Sequence, residues 1–278
     1  MKEFITLCDG GLGNRLGAIC GGLILGSSIN YPIKICWPSN SWCGCLFDDL
    51  FNSNLEVLAW DINKLFRTYI KYTFMIHENQ TSIGLPRRVH PSIEALEGLR
   101  SIDNGIIYYN NCIPPNIPEE KVIKVLESIK IKDYIIEEVL NFCLKHNIDN
   151  STVGVHLRKS DNDQGIDESK LYETIKTSNQ RYFLCSDDKT TEELFSKLPN
   201  IIIRPKNSYV TKLDPTGHWN KTIQDSESRI FPFNINREKD SVVEGFIDML
   251  VLSRTTILFN TRSSFLHFAK RYHHITLG

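Results

Sequence analysis

After residue 150 the chain alternates short β-branched runs with amphipathic stretches of helical period, and this alternation constrains the fold more than any other feature. The run through Thr152, Val153 and Val155 reads as a short buried strand. A helix is expected over 168–177, a strand from Arg181 to Cys185, a helix from Thr190 to Lys197 and a strand from Asn200 to Arg204. Residues 205–235 read as loop. A helix over 241–253, a strand over 256–259 and a last helix over 263–272, with Ser263 or Ser264 as N-cap, complete the pattern. Strands and helices interleaved at such short spacing make a parallel, doubly wound sheet.

The first half reads the same way at its start. Phe4 to Cys8 forms a strand, Asp9-Gly10-Gly11-Leu12-Gly13-Asn14 a glycine-rich turn, and Arg15 to about Ser28 a helix. A turn of this kind brings backbone N–H groups close to a phosphate or a sugar. It is not a dinucleotide fingerprint, because position 16 is Leu16 where a third glycine is required and no acidic residue ends the next strand, Ile33 to Trp37. Residues 60–100 show little periodicity, Ile106 to Tyr109 reads as a strand, and Pro114 to Pro118 as a stiff link. Two helices follow: Glu119 to Ile129, with Val122, Val125, Leu126 and Ile129 on its apolar face, and Asp133 to His146, with Ile136, Val139, Leu140 and Cys143. The polar stretch His146 to Ser151 marks a boundary, giving domains 1–150 and 151–278, two α/β halves with a cleft between them.

With 32 basic residues against 33 acidic ones, the formal net charge is -1. That balance argues against nucleic acid or a membrane surface as partner. The eight cysteines lack a repeating spacing and read as buried reduced thiols; Cys43-Gly44-Cys45 has no second pair to complete a zinc site. The apolar run from Leu16 to Gly26 is too short to span a bilayer and shows no cleavage pattern, so a cytoplasmic protein is expected, and the Asn-x-Ser/Thr triplets at Asn79, Asn150 and Asn220 carry no meaning.

Three polar groups fall at strand ends or helix starts in the second half: His156/Arg158/Asp161, Ser186/Asp187/Asp188, and Asn260 through Ser264. In a parallel sheet such points share one edge, where open α/β proteins bind ligands. Arg supplies a fork of donors suited to phosphate oxygens, a Ser-Ser helix start adds backbone N–H groups, and a nearby carboxylate suits the N–H edge of guanine. A nucleotide or sugar-nucleotide site is the expectation.

These residues resemble a family. His156-Leu157-Arg158-x-x-Asp161 is similar to the His-x-Arg motif of the GDP-fucose-dependent fucosyltransferases of GT-B-like fold, the nodulation, core N-glycan and protein-O-fucosyltransferase group. Gly10 to Arg15 resembles their first loop, Ser186-Asp187-Asp188 their second motif, and Asp248 through Thr261-Arg262-Ser263-Ser264-Phe265 their third, with a matching Asp-to-Ser separation (264 − 248 = 16). The resemblance implies two Rossmann-like domains facing across a cleft, the donor bound mainly by the C-terminal one, the acceptor on the N-terminal side, and the last helix free to pack back on the N-terminal domain. It implies inverting transfer of fucose from GDP-fucose to a glycan acceptor, with no metal or other cofactor. Arg158 would hold the β-phosphate and stabilise departing GDP, His156 and Asp248 would position guanosine, and Ser263 and Ser264 would bind phosphate. Asp187 and Asp188 would shape the nucleotide pocket or network with Arg158, and Gly11, Gly13 and Asn14 would face the donor.

Two departures stand out. Lys159 occupies the place where many relatives carry a second Arg. The carboxylate that serves some relatives as base would fall near Ile166, leaving Asp163, Asp167 or Glu168 to take the role. Two other readings stay open: a metal-dependent glycosyltransferase using Asp161-x-Asp163 as a hard-oxygen ligand pair, and a nucleotide-sugar-binding protein without transferase activity.

Overall fold

The structure is a computed structural model that describes residues 2–61, 64–65, 73–76, 105–109, 113–114, 117–161, 165–224, 230–231, 233–257 and 263–276. In chain order its strands are β1 (Phe4–Leu7), β2 (Ile33–Cys36), β3 (Phe51–Asn52), β4 (Glu56–Leu58), β5 (Thr73–Ile76), β6 (Ile106–Tyr109), β7 (Lys130–Ile131), β8 (Val153–Leu157), β9 (Tyr182–Ser186), β10 (Ile201–Ile202), β11 (Ile223–Gln224), β12 (Ile230–Phe231) and β13 (Thr256–Ile257). Its helices are α1 (Leu12–Ser28), α2 (Phe47–Leu50), α3 (Glu119–Ser128), α4 (Asp133–His146), α5 (Glu168–Lys176), α6 (Lys189–Phe195), α7 (Lys239–Leu252) and α8 (Ser264–Tyr272).

The chain forms two compact units, Met1–Ser39 with Leu46–Lys132, and Asn40–Cys45 with Asp133–Gly278. Helix α4, expected in the first half, therefore belongs with the second, as does a short piece from before α2.

The first unit is built on a five-stranded parallel sheet ordered β4-β2-β1-β6-β5. Phe4, Ile106 and Tyr108 pack on one face with Leu25, Ile29 and Tyr31, while Ile5, Leu7, Ile107 and Tyr109 pack on the other with Cys36 and Leu65. Burial on both faces explains why these strands read as continuous apolar runs rather than as alternations. The buried Thr6 hydroxyl donates to the carbonyl of Ala18 at 3.0 Å, tying β1 to α1.

The second unit carries a four-stranded parallel sheet ordered β10-β9-β8-β13. Val153, Val155, Leu157, Tyr182 and Leu184 of its central strands pack with Leu171, Ile175, Phe195 and Leu198. Leu157 pairs with Ser186, and His156 with Cys185, so β8 and β9 end level with each other. The loops that leave these two strands therefore emerge at the same edge.

Two expectations need correction. In α4 the buried residues are Ile135, Val139 and Phe142, whereas Leu140 is 43% exposed. The i, i+4, i+7 stripe that packs is one position away from the face expected at Ile136, Val139, Leu140 and Cys143. The strand expected from Asn200 to Arg204 pairs with β9 only at Ile201 and Ile202, because Arg204 turns into a buried ionic network. Among the described residues of 205–235, β11 pairs antiparallel with β12. Among the described residues no helix is long and apolar enough to cross a membrane, and seven cysteines are free thiols.

Candidate functional site

Strand β8 delivers His156 and Arg158 to the C-terminal edge of the second sheet, and the next three residues fold back to brace them. Arg158 donates from Nε (2.9 Å) and Nη2 (2.5 Å) to a single oxygen, Oδ1 of Asp161. Its Nη1 has no partner among the described residues, and the side chain stays 22% exposed. A guanidinium fixed at two nitrogens and open at the third is pre-set to receive an anion.

The same oxygen of Asp161 also accepts from Arg237 Nη2 at 2.8 Å, across 76 residues of sequence. Burial works against the Asp161 carboxylate, but Arg237 and Arg158 outweigh it and hold the group below the ordinary carboxylate range. Committed in this way to two guanidiniums, Asp161 is poorly placed to lead an Asp-x-Asp metal site. Asp163, its partner in that reading and also a candidate base, lies outside the described residues, as does Asn162.

The second motif supports the first. Asp187 accepts from the backbone N–H of Lys159 at 2.7 Å, and the Ser160 hydroxyl lies within hydrogen-bond reach of both Asp187 Oδ2 and Asp161 Oδ1. Asp187 thus holds the conformation of the loop that carries Arg158. Asp188 turns the other way and caps α6, accepting from the N–H of Thr191 at 2.7 Å and from its hydroxyl at 2.9 Å. Asp167 caps α5 in the same manner, accepting from the N–H of Lys170 at 3.0 Å. Ile166, an apolar side chain at the expected position of a base, packs partly against the apolar core.

The third motif reaches the first through an aromatic contact. Phe265, in the first turn of α8, stacks on the His156 ring with centroids 4.4 Å apart and planes 17° off parallel. Ser263 occupies the N-cap position in extended conformation, but its hydroxyl makes no cap bond; it is buried and has no partner among the described residues. Ser264 opens the helix. Residues Asn260, Thr261 and Arg262 lie outside the described residues. His156 is itself buried, its Nδ1 likewise without a partner, and burial pushes its pKa down to about 4. It is a neutral imidazole at neutral pH.

Asp248 lies deep in the second unit. It is 3% exposed, and its two oxygens are held by Arg204 Nε at 2.9 Å and Lys206 Nζ at 2.8 Å. Arg204 reaches on to Glu138 and Glu244, and Lys206 to Glu192 and the carbonyl of Ser186. Asp248 and its neighbours therefore form a buried charged floor at the end of β9. Sequence reasoning missed Arg204, at the end of an expected strand, and Lys206 and Arg237, in stretches without periodicity, because nothing local marks a side chain whose partner is more than forty residues away.

In the first unit the glycine-rich turn is held from inside. Gly10 adopts φ +78°, which favours glycine. Arg15, fully buried, donates to the carbonyls of Gly10 at 2.8 Å and Pro38 at 2.7 Å and lies 4.8 Å over the Trp37 ring. Gly11 stands at the N-cap position of α1, Gly13 is buried in its first turn, and Asn14 follows partly exposed. Among the described residues no group of three or more His, Cys, Asp or Glu is arranged to hold a metal ion.

No family model matches the chain, and no curated protein matches it. Solved structures do. The chain is similar to fucosyltransferase NodZ from Bradyrhizobium, with 17% identity, TM-score 0.59, and coverage of 97% of this chain and 92% of that one. It is also similar to NodZ alpha-1,6-fucosyltransferase soaked with GDP-fucose, with 16% identity, TM-score 0.58, and coverage of 98% and 93%. The chain therefore has the fold of these fucosyltransferases over nearly its whole length, as the order of its motifs implied.

Proposed function

We propose that the protein is an inverting, metal-independent glycosyltransferase that moves fucose from GDP-fucose to a glycan acceptor. The observation that carries the reading is Arg158, anchored by two nitrogens to Asp161 at the sheet edge and open at the third. In this reading Arg158 binds the diphosphate. As an acceptor hydroxyl attacks the anomeric carbon from the face opposite GDP, the bond from that carbon to the β-phosphate oxygen breaks, and Arg158 neutralises the charge left on GDP. The Ser263 hydroxyl and the first N–H groups of α8 add donors to the phosphates. His156, neutral and stacked on Phe265, positions the guanosine; Asp248 contributes through the charged floor, and Asp187 and Asp188 shape the pocket. Gly11, Gly13 and Asn14 belong to the donor site on the resemblance alone. The proton of the acceptor hydroxyl passes to a carboxylate of the loop after Arg158, Asp163 or Asp167. A cytoplasmic setting is part of this reading.

A second reading, nucleotide-sugar binding without transfer, draws support from Ile166 and from the use of Asp167 as a helix cap. Thermal stabilisation by GDP, GDP-fucose, UDP and UDP-sugars, with and without EDTA, tests the donor site, because a ligand that binds only the folded state raises Tm. GDP and GDP-fucose are expected to stabilise the protein in EDTA, and Arg158→Ala to abolish the shift. A shift confined to UDP-sugars with a divalent metal would overturn the proposal. GDP binding with no turnover of GDP-fucose on any glycan acceptor would favour the second reading.

A further inference from the structure

Asp161 Oδ1 is the meeting point of two guanidiniums. Arg158 reaches it with Nε and Nη2, and Arg237 with Nη2 at 2.8 Å. An isolated Arg158–Asp161 pair would have no net charge, so an anion approaching Arg158 would meet a carboxylate only a few ångströms behind the guanidinium. Arg237 alters that balance: two cations on one carboxylate leave the trio at +1, beside Asp187, whose carboxylate is taken up by the Lys159 N–H and the Ser160 hydroxyl.

Arg237 is also held in place from behind. Its N–H donates to the carbonyl of Ser41 at 2.9 Å, and its own carbonyl accepts from the N–H of Gly44 at 2.7 Å. A Cβ on Gly44 would lie 2.6 Å from that carbonyl oxygen, so only glycine allows the approach. The clamp comes from Asn40–Cys45, the short piece that packs with the second unit although the rest of that unit starts at Asp133. The Arg237 side chain is only 14% exposed, and its Nη1 is buried without a partner among the described residues. A guanidinium removed from water and left with one arm unpaired is costly as a mere brace.

We propose that Arg237 is a positioning residue that offsets the charge of Asp161, so that Arg158 presents a net positive charge to a diphosphate ligand. This rests on the donor-site reading and adds a residue outside all three motifs.

Calorimetric titration of the full chain with inorganic pyrophosphate and with GDP, in EDTA, tests it. Arg237→Gln, which brings the trio to zero, is expected to weaken both ligands by about tenfold or more, the scale of losing one unit charge at short range near a protein surface. Adding Asp161→Asn in the same chain restores +1 and is expected to recover affinity to within about threefold of the wild type, a rescue that a purely structural brace would not show. Arg237→Lys, which keeps the charge, is expected to retain most of the affinity. Binding by Arg237→Gln within twofold of the wild type, or a double variant weaker than the single one, overturns the inference while leaving the donor site standing. Should Arg237→Gln not fold, Arg237→Lys decides in its place: pyrophosphate affinity within about threefold of the wild type supports the charge balance, and a loss of about tenfold or more overturns it. Failure of the wild type to bind either ligand overturns the donor-site reading together with this one.

Discussion

Arg15, in the first turn of the helix after β1, and Arg158, in the loop after β8, use the same side chain in opposite ways. Beneath the glycine-rich turn Arg15 is fully buried and two of its nitrogens are spent on the carbonyls of Gly10 and Pro38. After β8, Arg158 is tied to a carboxylate rather than to the main chain, keeps one nitrogen without a partner among the described residues and leaves a fifth of its side chain exposed. The first arrangement uses charge to fix backbone. The second uses backbone and a neighbouring carboxylate to present charge. A buried Arg bonded to carbonyls stabilises the fold, whereas an Arg fixed by a carboxylate at a sheet edge is available to a ligand.

That contrast can be broken by experiment. The largest effect is expected at Arg15: Arg15→Met removes two charge-assisted bonds to buried carbonyls and leaves both unsatisfied, at a cost of about 3–5 kcal/mol in urea unfolding. A loss under about 1 kcal/mol would show that the turn holds itself. Next comes the pH dependence carried by His156, whose pKa falls from 6.5 to about 4 on folding. Between these values the unfolded chain binds a proton that the folded one does not, so stability is complete above pH 6.5 and is lost as pH falls toward 4, by about 3 kcal/mol in all. Comparison of wild type with His156→Gln between pH 7 and pH 4.5 isolates this contribution; parallel curves would refute it.

Arg158→Ala is expected to lower the rate of fucosyl transfer about a hundredfold or more while shifting the urea midpoint little, the reverse of Arg15→Met. Arg158→Lys should not recover the rate, since an ammonium cannot hold Asp161 through two nitrogens and face a ligand with a third. The smallest effect is expected at Asp188, whose carboxylate caps α6: Asp188→Ala should cost about 1 kcal/mol of stability. If Asp188→Ala instead removes GDP binding with stability intact, the side chain serves the ligand and not the helix.

The legible part of this protein is what local periodicity encodes. Strand β6 and helix α4 fall where the sequence placed them, and β8, β9, α5 and α7 agree to within two residues, because a parallel sheet imposes short apolar runs and its covering helices impose a 3.6-residue period. The face of α4 was less legible: Leu140 and Leu144 fit an apolar stripe as well as Ile135 and Phe142 do, and only packing against α7 chooses between them.

The candidate site divides along the same line. His156, Arg158 and Asp161 stand in one local motif, and their placement follows from strand polarity alone, since parallel strands deliver their C-terminal ends to one edge. The sequence by itself therefore determined an α/β chain with a polar cluster at the end of β8. What Asp161, Asp187 and Asp248 bind to was decided by the tertiary structure. Their partners, Arg237, the Lys159 N–H, Arg204 and Lys206, lie 28 to 76 residues away, and a hydrogen bond of that span leaves no mark on the neighbours of either residue. Local propensity acts over a few bonds, whereas a buried charge takes whichever counter-charge the completed fold brings within 3 Å.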